Sequence, residues 1–155
     1  MKYFFIPMIF CLMLGSCSNA DNSGKDIEAI KNLLNQERKA HFQKDADLFI
    51  SEFAPDVIQI NKGIVLQSSI EENRKRFRTY FNDVNFIKWD DVAEPIIKFS
   101  EDHSLAYAIV QKLVVLQRKD STGNILNDTT NFAWTSIYRK QQNEWKLECN
   151  ISTNK

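Results

Sequence analysis

Hydrophobic positions recur at two different spacings along this chain, and the spacing changes near Asn85. Before that point, apolar side chains recur every three or four residues, as they do on one face of an α-helix. From Asn85 onward they alternate with polar residues or form runs rich in Val, Ile and Leu, as in β-strands. The pattern therefore predicts an α+β domain, with helices packed on one face of an antiparallel sheet.

Three helices are predicted in the first segment. The first begins near Asp26, a candidate N-cap, and ends around residues 43–44. A short second helix is predicted over residues 45–53. The third helix begins after Ser68-Ser69, because Glu71-Glu72 follows three residues later and completes the pattern of a capping box.

The strands are predicted from runs of Val, Ile, Leu and aromatic residues that end at clusters of turn-forming residues. One strand lies between the second and third helices, and it turns at residues 61–63. The others follow the third helix and form a series of antiparallel neighbours. The predicted strands cover residues 57–60, 86–89, 92–99, 105–119, 129–140 and 145–152.

The first sixteen residues have the pattern of an export signal. Lys2 supplies a positive charge, residues 4–14 are mostly apolar, and small residues precede Cys17. The apolar stretch is too short to span a bilayer. Its ending resembles a bacterial lipoprotein box, which implies that Cys17 is lipidated and becomes the first residue of the mature chain. The alternative is an ordinary secretory signal followed by an incidental cysteine.

We therefore expect three parts: a lipoprotein signal peptide over residues 1–16, lipidated Cys17 with a polar tether over 17–25, and one domain over 26–155. Two or more acyl chains would anchor the protein stably to a membrane. The expected location is the cell envelope. Ser18 replaces the aspartate that retains some lipoproteins in the inner membrane, which favours the outer membrane, facing the periplasm.

Composition argues against several kinds of partner and cofactor. Twenty basic residues balance twenty acidic ones, so there is no excess of positive charge to attract nucleic acid. Once Cys17 is lipidated, Cys149 has no partner for an internal disulfide in the mature chain. His41 and His103 lie far apart in sequence, and neither a metal-ligand motif nor a glycine-rich phosphate loop is present. We expect no metal and no cofactor.

Two local motifs and the order of elements resemble one family. The segment KDADLFISEFAPD, residues 44–56, and the strand and turn over 57–63 resemble its second helix and first strand. Residues 145–152, WKLECNIS, resemble its closing strand. The family is nuclear-transport-factor-2-like, in its SnoaL-like or DUF4440-like branch. The resemblance implies a cone-shaped fold with a pocket at its open end, and it implies a homodimer.

Glu37 and His41 are the candidate catalytic residues. They lie four positions apart on the apolar stripe of the first helix, so their side chains project from the same face. In a cone fold that face lines the pocket, where a carboxylate and an imidazole could share a proton as a general acid and base. The alternative is that His41 packs at the pocket rim and Glu37 pairs with a cation such as Arg38.

A second set of candidates would bind a ligand. Its members are polar or amphipathic residues among apolar neighbours, which suits a small, mostly apolar organic molecule. Asn61 falls where steroid isomerases of this fold carry a carboxylate base, and many relatives have histidine at the position of Asn150. The resemblance therefore implies that steroid isomerase chemistry is absent. The candidates are Asn61, Trp89, Tyr107, Gln111, Trp134 and Asn150.

Three functions follow from these candidates. The first is a lipid-anchored envelope protein that binds a small, mostly apolar ligand. The alternative is an enzyme, an isomerase, dehydratase or hydrolase, that uses Glu37 and His41 as acid and base. A second alternative is a non-catalytic, dimeric assembly module.

Overall fold

The computed structural model describes residues 20–155, and the predicted signal peptide and Cys17 lie outside them. Three helices are present: α1 (Ala20–Gln43), α2 (Ala46–Ile50) and α3 (Ile70–Asp83). The strands are β1 (Phe53–Asn61), β2 (Ile64–Gln67), β3 (Val84–Asp91), β4 (Ile96–Phe99), β5 (Leu105–Lys119), β6 (Ile125–Gln141) and β7 (Glu144–Asn154). The predicted order of helices and strands is confirmed, and β2 is an additional strand.

The seven strands form one sheet in the order β2-β1-β7-β6-β5-β3, and β4 pairs with β5 beside that path. Neighbouring strands are antiparallel except for β1 and β7, which run parallel. The three helices pack on one face of the sheet, which we call the inner face. The α+β fold class predicted from the sequence is confirmed.

Local sequence explains where several elements begin and turn. The Asp45 side chain caps α2 by accepting a hydrogen bond from the Leu48 amide at 2.9 Å. Ser69 and Glu72 form the predicted capping box at the start of α3. Lys62 and Gly63 both have positive φ angles, so the chain reverses in a tight turn between β1 and β2. The sequence analysis predicted this turn but not the short strand after it.

The predicted start of the first helix is wrong. Helix α1 begins at Ala20, so Asp26 lies within the helix and is not its N-cap. The Asp26 side chain is buried and accepts hydrogen bonds from Lys140 Nζ at 2.6 Å and Trp145 Nε1 at 3.0 Å, and it pairs with His103 Nδ1 at 3.2 Å. These contacts fasten the first half of α1 to the ends of the long strands.

The inner face of the sheet is set by the alternation of side chains along β5. Ala106, Ala108, Val110 and Val114 are buried against the helices, whereas Tyr107 is exposed on the opposite face. The core continues through aromatic side chains of the helices and of β1 and β3. It includes Phe49, Phe53, Phe81, Phe86, Trp89, Trp134 and Trp145. Among the described residues, no helix is long and apolar enough to cross a membrane.

Candidate functional site

A cavity of about 580 Å³ lies between the inner face of the sheet and the helices. Most of its wall is apolar, and the polar atoms that reach it come from a small number of side chains. This combination is typical of pockets that bind small organic molecules. Residues of its wall include Glu37, Phe49, Glu52, Phe53, Gln59, Asn61, Ile64, Leu66, Arg76, Phe77, Tyr80, Trp89, Trp134, Ser136, Tyr138, Leu147 and Asn150.

Two carboxyl groups reach this cavity, Glu37 from α1 and Glu52 from the residue before β1. Burial raises the pKa of Glu37 to about 7, although the positive charge of Lys112 opposes the rise. Burial raises the pKa of Glu52 further, to about 9, and the negative charge of Glu37 adds to this effect. At neutral pH, Glu52 is therefore a protonated acid and Glu37 is partly ionised.

Three buried polar atoms in the cavity wall have no hydrogen-bond partner among the described residues. They are the indole Nε1 atoms of Trp89 and Trp134 and the Oε1 atom of Glu52. Buried polar atoms are almost always paired, because an unpaired donor or acceptor costs about 1–3 kcal/mol. All three atoms belong to residues that line the same cavity, so this region carries hydrogen-bonding groups that the described residues leave unused.

His41 does not join Glu37 at the cavity, so the geometry gives no support to the predicted acid/base pair. The imidazole Nδ1 donates a hydrogen bond to the Glu37 backbone carbonyl at 2.7 Å, one turn earlier in α1. Its ring stacks on Trp89 with 4.0 Å between centroids and meets Phe81 edge to face. Burial lowers the pKa of His41 to about 4. His41 is therefore a neutral member of the aromatic core.

Four of the six predicted ligand-binding residues line the cavity: Asn61, Trp89, Trp134 and Asn150. The Asn150 amide donates a hydrogen bond to Ser136 Oγ at 3.1 Å, which fixes it within the wall.

Tyr107 and Gln111 do not line this cavity, so the structure does not bring them together with the other four. Both are exposed, because odd-numbered residues of β5 face away from the helices. Apolar residues occupy both faces of β5, so the sequence pattern does not distinguish them.

The sequence analysis missed Glu52, Tyr138 and the buried Lys112. Glu52 follows a short helix and precedes an apolar strand, and no periodicity marks it as buried. The Tyr138 hydroxyl hydrogen-bonds to Ser136, and burial raises its pKa. Lys112 lies on the inner-face register of β5, where the alternation of side chains indicates burial. Its ammonium group pairs with Asp91 at 2.5 Å.

A metal site is not evident in the part of the chain that the structure describes. Between residues 20 and 155, no three His, Cys, Asp or Glu side chains converge as metal ligands would. Cys149 is a free thiol whose pKa is raised by partial burial, which disfavours the reactive thiolate. The polar groups of the residues that line the cavity include carboxyl, hydroxyl, indole and amide groups and the guanidinium of Arg76.

The sequence matches no family model and no curated protein. Solved structures do match the fold. A ketosteroid isomerase-like protein from Erwinia carotovora atroseptica superposes with a TM-score of 0.66 at 13% identity, covering 84% of this chain and 96% of its own. An NTF2-like protein from Cytophaga hutchinsonii gives a TM-score of 0.66 at 12% identity, with coverage of 82% and 96%.

A proposed dehydratase of the NTF2-like family from Streptomyces avermitilis gives a TM-score of 0.65 at 12% identity, covering 83% of this chain and 96% of its own. Identities this low establish the fold and not a shared activity. The helices packed on an open, mostly antiparallel sheet agree with that assignment. The chain therefore has the nuclear-transport-factor-2-like (NTF2-like) fold.

Proposed function

We propose that this domain binds a small, mostly apolar organic molecule that carries at least one oxygen able to accept hydrogen bonds. One observation supports the proposal: Trp89 and Trp134 line the same mostly apolar cavity, and their buried indole N–H groups have no partner among the described residues. An acceptor oxygen on a ligand would pair with an indole N–H that turns towards the cavity. The protonated carboxyl of Glu52 offers a further donor.

The size and lining of the cavity support the same class of ligand. Its volume of about 580 Å³ lies in the range of about 300–1,000 Å³ that is usual for sites that bind small molecules. The side chains of Phe49, Phe53, Phe77, Val114 and Leu147 supply apolar contact surface. Such surface stabilises a ligand by about 25 cal/mol for each Å² removed from water.

Native mass spectrometry of the full chain tests this proposal. The wild type would be compared with Asn150→Trp, which places an indole in the cavity, and with Ile151→Trp as the matched control. Ile151 is the next residue of β7 and is exposed on the opposite face. Each protein would be measured after gentle purification and again after unfolding and refolding.

We expect a copurified small molecule on the wild type and on Ile151→Trp, lost on refolding, and little or none on Asn150→Trp. Equal occupancy of all three proteins would place the molecule outside the cavity and contradict the proposal. An empty wild type that also binds no added decan-1-ol would contradict it directly.

A second candidate function is acid/base catalysis within the same cavity, by Glu37 and Glu52 in place of the predicted pair with His41. The supporting observation is that both residues line one cavity, where burial raises the pKa of Glu37 to about 7 and that of Glu52 to about 9. Near neutral pH, the ionised Glu37 could remove a proton from a bound substrate while protonated Glu52 donates one. An isomerisation or a dehydration needs this combination.

Exchange of substrate hydrogen for solvent deuterium would reveal such catalysis. With the copurified molecule in heavy water, we expect incorporation that increases as Glu37 ionises around pH 7 and decreases as Glu52 ionises around pH 9. Glu37→Gln should abolish the incorporation, whereas His41→Phe should retain it. Loss of incorporation in His41→Phe alone would restore the pair predicted from the sequence.

We also propose that Cys17 anchors the domain by lipid in the cell envelope, facing the periplasm. The support is the order of charged, apolar and small residues before Cys17. Such an anchor would hold the cavity near a membrane, which is a source of apolar molecules.

A further inference from the structure

Helix α3 carries three arginines at alternate positions, and one of them differs from the other two. Arg74 and Arg78 lie on the side of the helix that faces α2, and each donates a hydrogen bond to Asp47 at 2.7 Å. Arg76 is half-buried and lines the cavity. Arg74 also pairs with Glu71, so both of these arginines have acidic partners, whereas Arg76 faces the proposed ligand.

Within residues 20–155, Arg76 has no acidic partner. Its Nη2 donates hydrogen bonds to the amide oxygens of Gln59 and Asn73, the second at 2.7 Å, and both acceptors are neutral. Asn73 is fully buried and is held by a hydrogen bond to the Ser68 carbonyl, so it fixes the guanidinium in place. The Phe77 ring lies 4.8 Å below the guanidinium carbon.

Arginine has five N–H donors and stays charged at any physiological pH. Nη2 uses its two on Gln59 and Asn73, and no described residue accepts from Nε or Nη1 of Arg76. Each of these remaining N–H groups can donate a charge-assisted hydrogen bond to an oxygen of a carboxylate. A positioned, uncompensated cation on an apolar wall is a binding site for an anion.

The two ends of the cavity carry different charged groups. Arg76 contacts Gln59, whereas Glu52 directly precedes Phe53 at the start of β1. The β7 partners of Phe53 and Gln59 are three residues apart, so the two ends are separated by about 10 Å along the sheet. The exposed apolar side chains of Ile64 and Leu66 border the cavity near Gln59, and mark this end as the mouth. The cation therefore lies towards the mouth, and the carboxyl groups lie deeper.

We propose that the ligand is an amphiphilic monoanion, with its anionic group held by Arg76 near the mouth and its apolar body extending towards Glu37 and Glu52. This inference rests on the proposed function and names its ligand class. The opposite orientation would place the negative charge of the ligand beside Glu37 and Glu52, in surroundings where burial already disfavours the ionised form of a carboxyl group. The class includes medium-chain carboxylates, whose chains match the apolar wall.

Three probes with the same ten-carbon chain test the inference: decanoate, decan-1-ol and decylammonium. Calorimetric titration of the full chain near pH 7 would compare the wild type with Arg76→Gln and Arg76→Lys. Arg78→Gln is the matched control, because Arg78 lies two residues away on the side of α3 that faces α2. Circular dichroism would confirm that each variant is folded.

We expect the wild type to bind decanoate more tightly than decan-1-ol and decylammonium least. Arg76→Gln should weaken decanoate by about tenfold or more and leave decan-1-ol within twofold, as expected for loss of a charge-assisted hydrogen bond. Arg78→Gln should leave both unchanged. Arg76→Lys should retain a preference for decanoate, which tests the charge even if Arg76→Gln does not fold.

Three results would overturn the inference. The first is that decan-1-ol binds to the wild type as tightly as decanoate does. The second is that Arg76→Gln weakens the binding of decanoate and of decan-1-ol equally. The third is that Arg78→Gln weakens the binding of decanoate as much as Arg76→Gln does. Each of these leaves the proposed function intact, because the cavity would still bind an apolar molecule. Failure of all three probes to bind the wild type would contradict the proposed function as well.

Discussion

Replacing Glu52 with glutamine should stabilise the folded domain, although the substitution alters a buried polar residue. Only 4% of Glu52 is exposed, and its Oε1 atom has no hydrogen-bond partner among the described residues. The carboxyl has a pKa of about 9 in the folded protein against 4.5 for an ordinary glutamate. Between these two pH values the unfolded chain has released a proton that the folded chain retains. The free energy of unfolding therefore decreases as pH rises from 4.5 to 9.

The size of the effect follows from the same two pKa values. Each pH unit between them lowers the free energy of unfolding by about 1.4 kcal/mol. From pH 4.5 to pH 7 this gives about 3 kcal/mol, which is the stabilisation expected from Glu52→Gln at neutral pH. Glutamine has nearly the same shape but never ionises, so it removes this dependence on pH without opening a cavity.

Urea unfolding near pH 5, pH 7 and pH 8.5 measures this effect. We expect the free energy of unfolding of Glu52→Gln to exceed that of the wild type by less than about 1 kcal/mol near pH 5 and by increasing amounts above that pH. Glu101→Gln is the control, because Glu101 is exposed in a loop, and it should match the wild type throughout. The reasoning is refuted if Glu52→Gln is destabilised at every pH, or if its advantage over the wild type does not increase with pH.

Three further predictions concern residues outside the cavity. In urea unfolding, Asp26→Ala should lower the free energy of unfolding by on the order of 3 kcal/mol, because it leaves Lys140 and Trp145 unpaired. The control is Asp128→Ala, which removes the exposed ion pair with Arg118 and should cost less than about 1 kcal/mol. In an NMR titration, folded His41 should stay neutral down to about pH 4, and a titration midpoint near pH 6.5 would contradict its burial. Because the unfolded chain binds this proton at a higher pH than the folded chain does, the free energy of unfolding should decrease as pH falls from 6.5 to 4. Cys17→Ser should abolish acylation and move the protein out of the membrane fraction, and an unchanged distribution would contradict lipid anchoring.

The sequence was sufficient to predict the fold class because its local patterns agree with the final architecture. The capping box at Ser69 and Glu72 and the alternation along β5 are short-range features. Strand β2 escaped prediction because its four residues are all exposed and form a short edge strand after a tight turn. Asp26 was misassigned because its partners Lys140 and Trp145 are more than a hundred residues away.

The residues of the site that local sequence patterns mark were predicted, and those buried only by long-range packing were not. Glu37, Trp89 and Trp134 stood out because they are polar or amphipathic within apolar patterns, and they do line the cavity. Glu52 did not stand out because its burial depends on how α2 and β1 meet, which no local pattern encodes. Tyr107 lies on the exposed face of β5, which the sequence pattern does not distinguish because both faces carry apolar residues. Lipidation of Cys17, the envelope location and a homodimer stay predictions.

The NMR signals of the three tryptophan indole N–H groups give the most direct test of ligand binding in the cavity. Trp89 and Trp134 line the cavity and have Nε1 donors without a partner among the described residues, whereas the Trp145 donor is bound to Asp26 and serves as an internal control. On titration of the full chain with decan-1-ol, we expect the Trp89 and Trp134 signals to shift and the Trp145 signal to stay unchanged. No shift in any of them, or equal shifts in all three, would contradict ligand binding in the cavity.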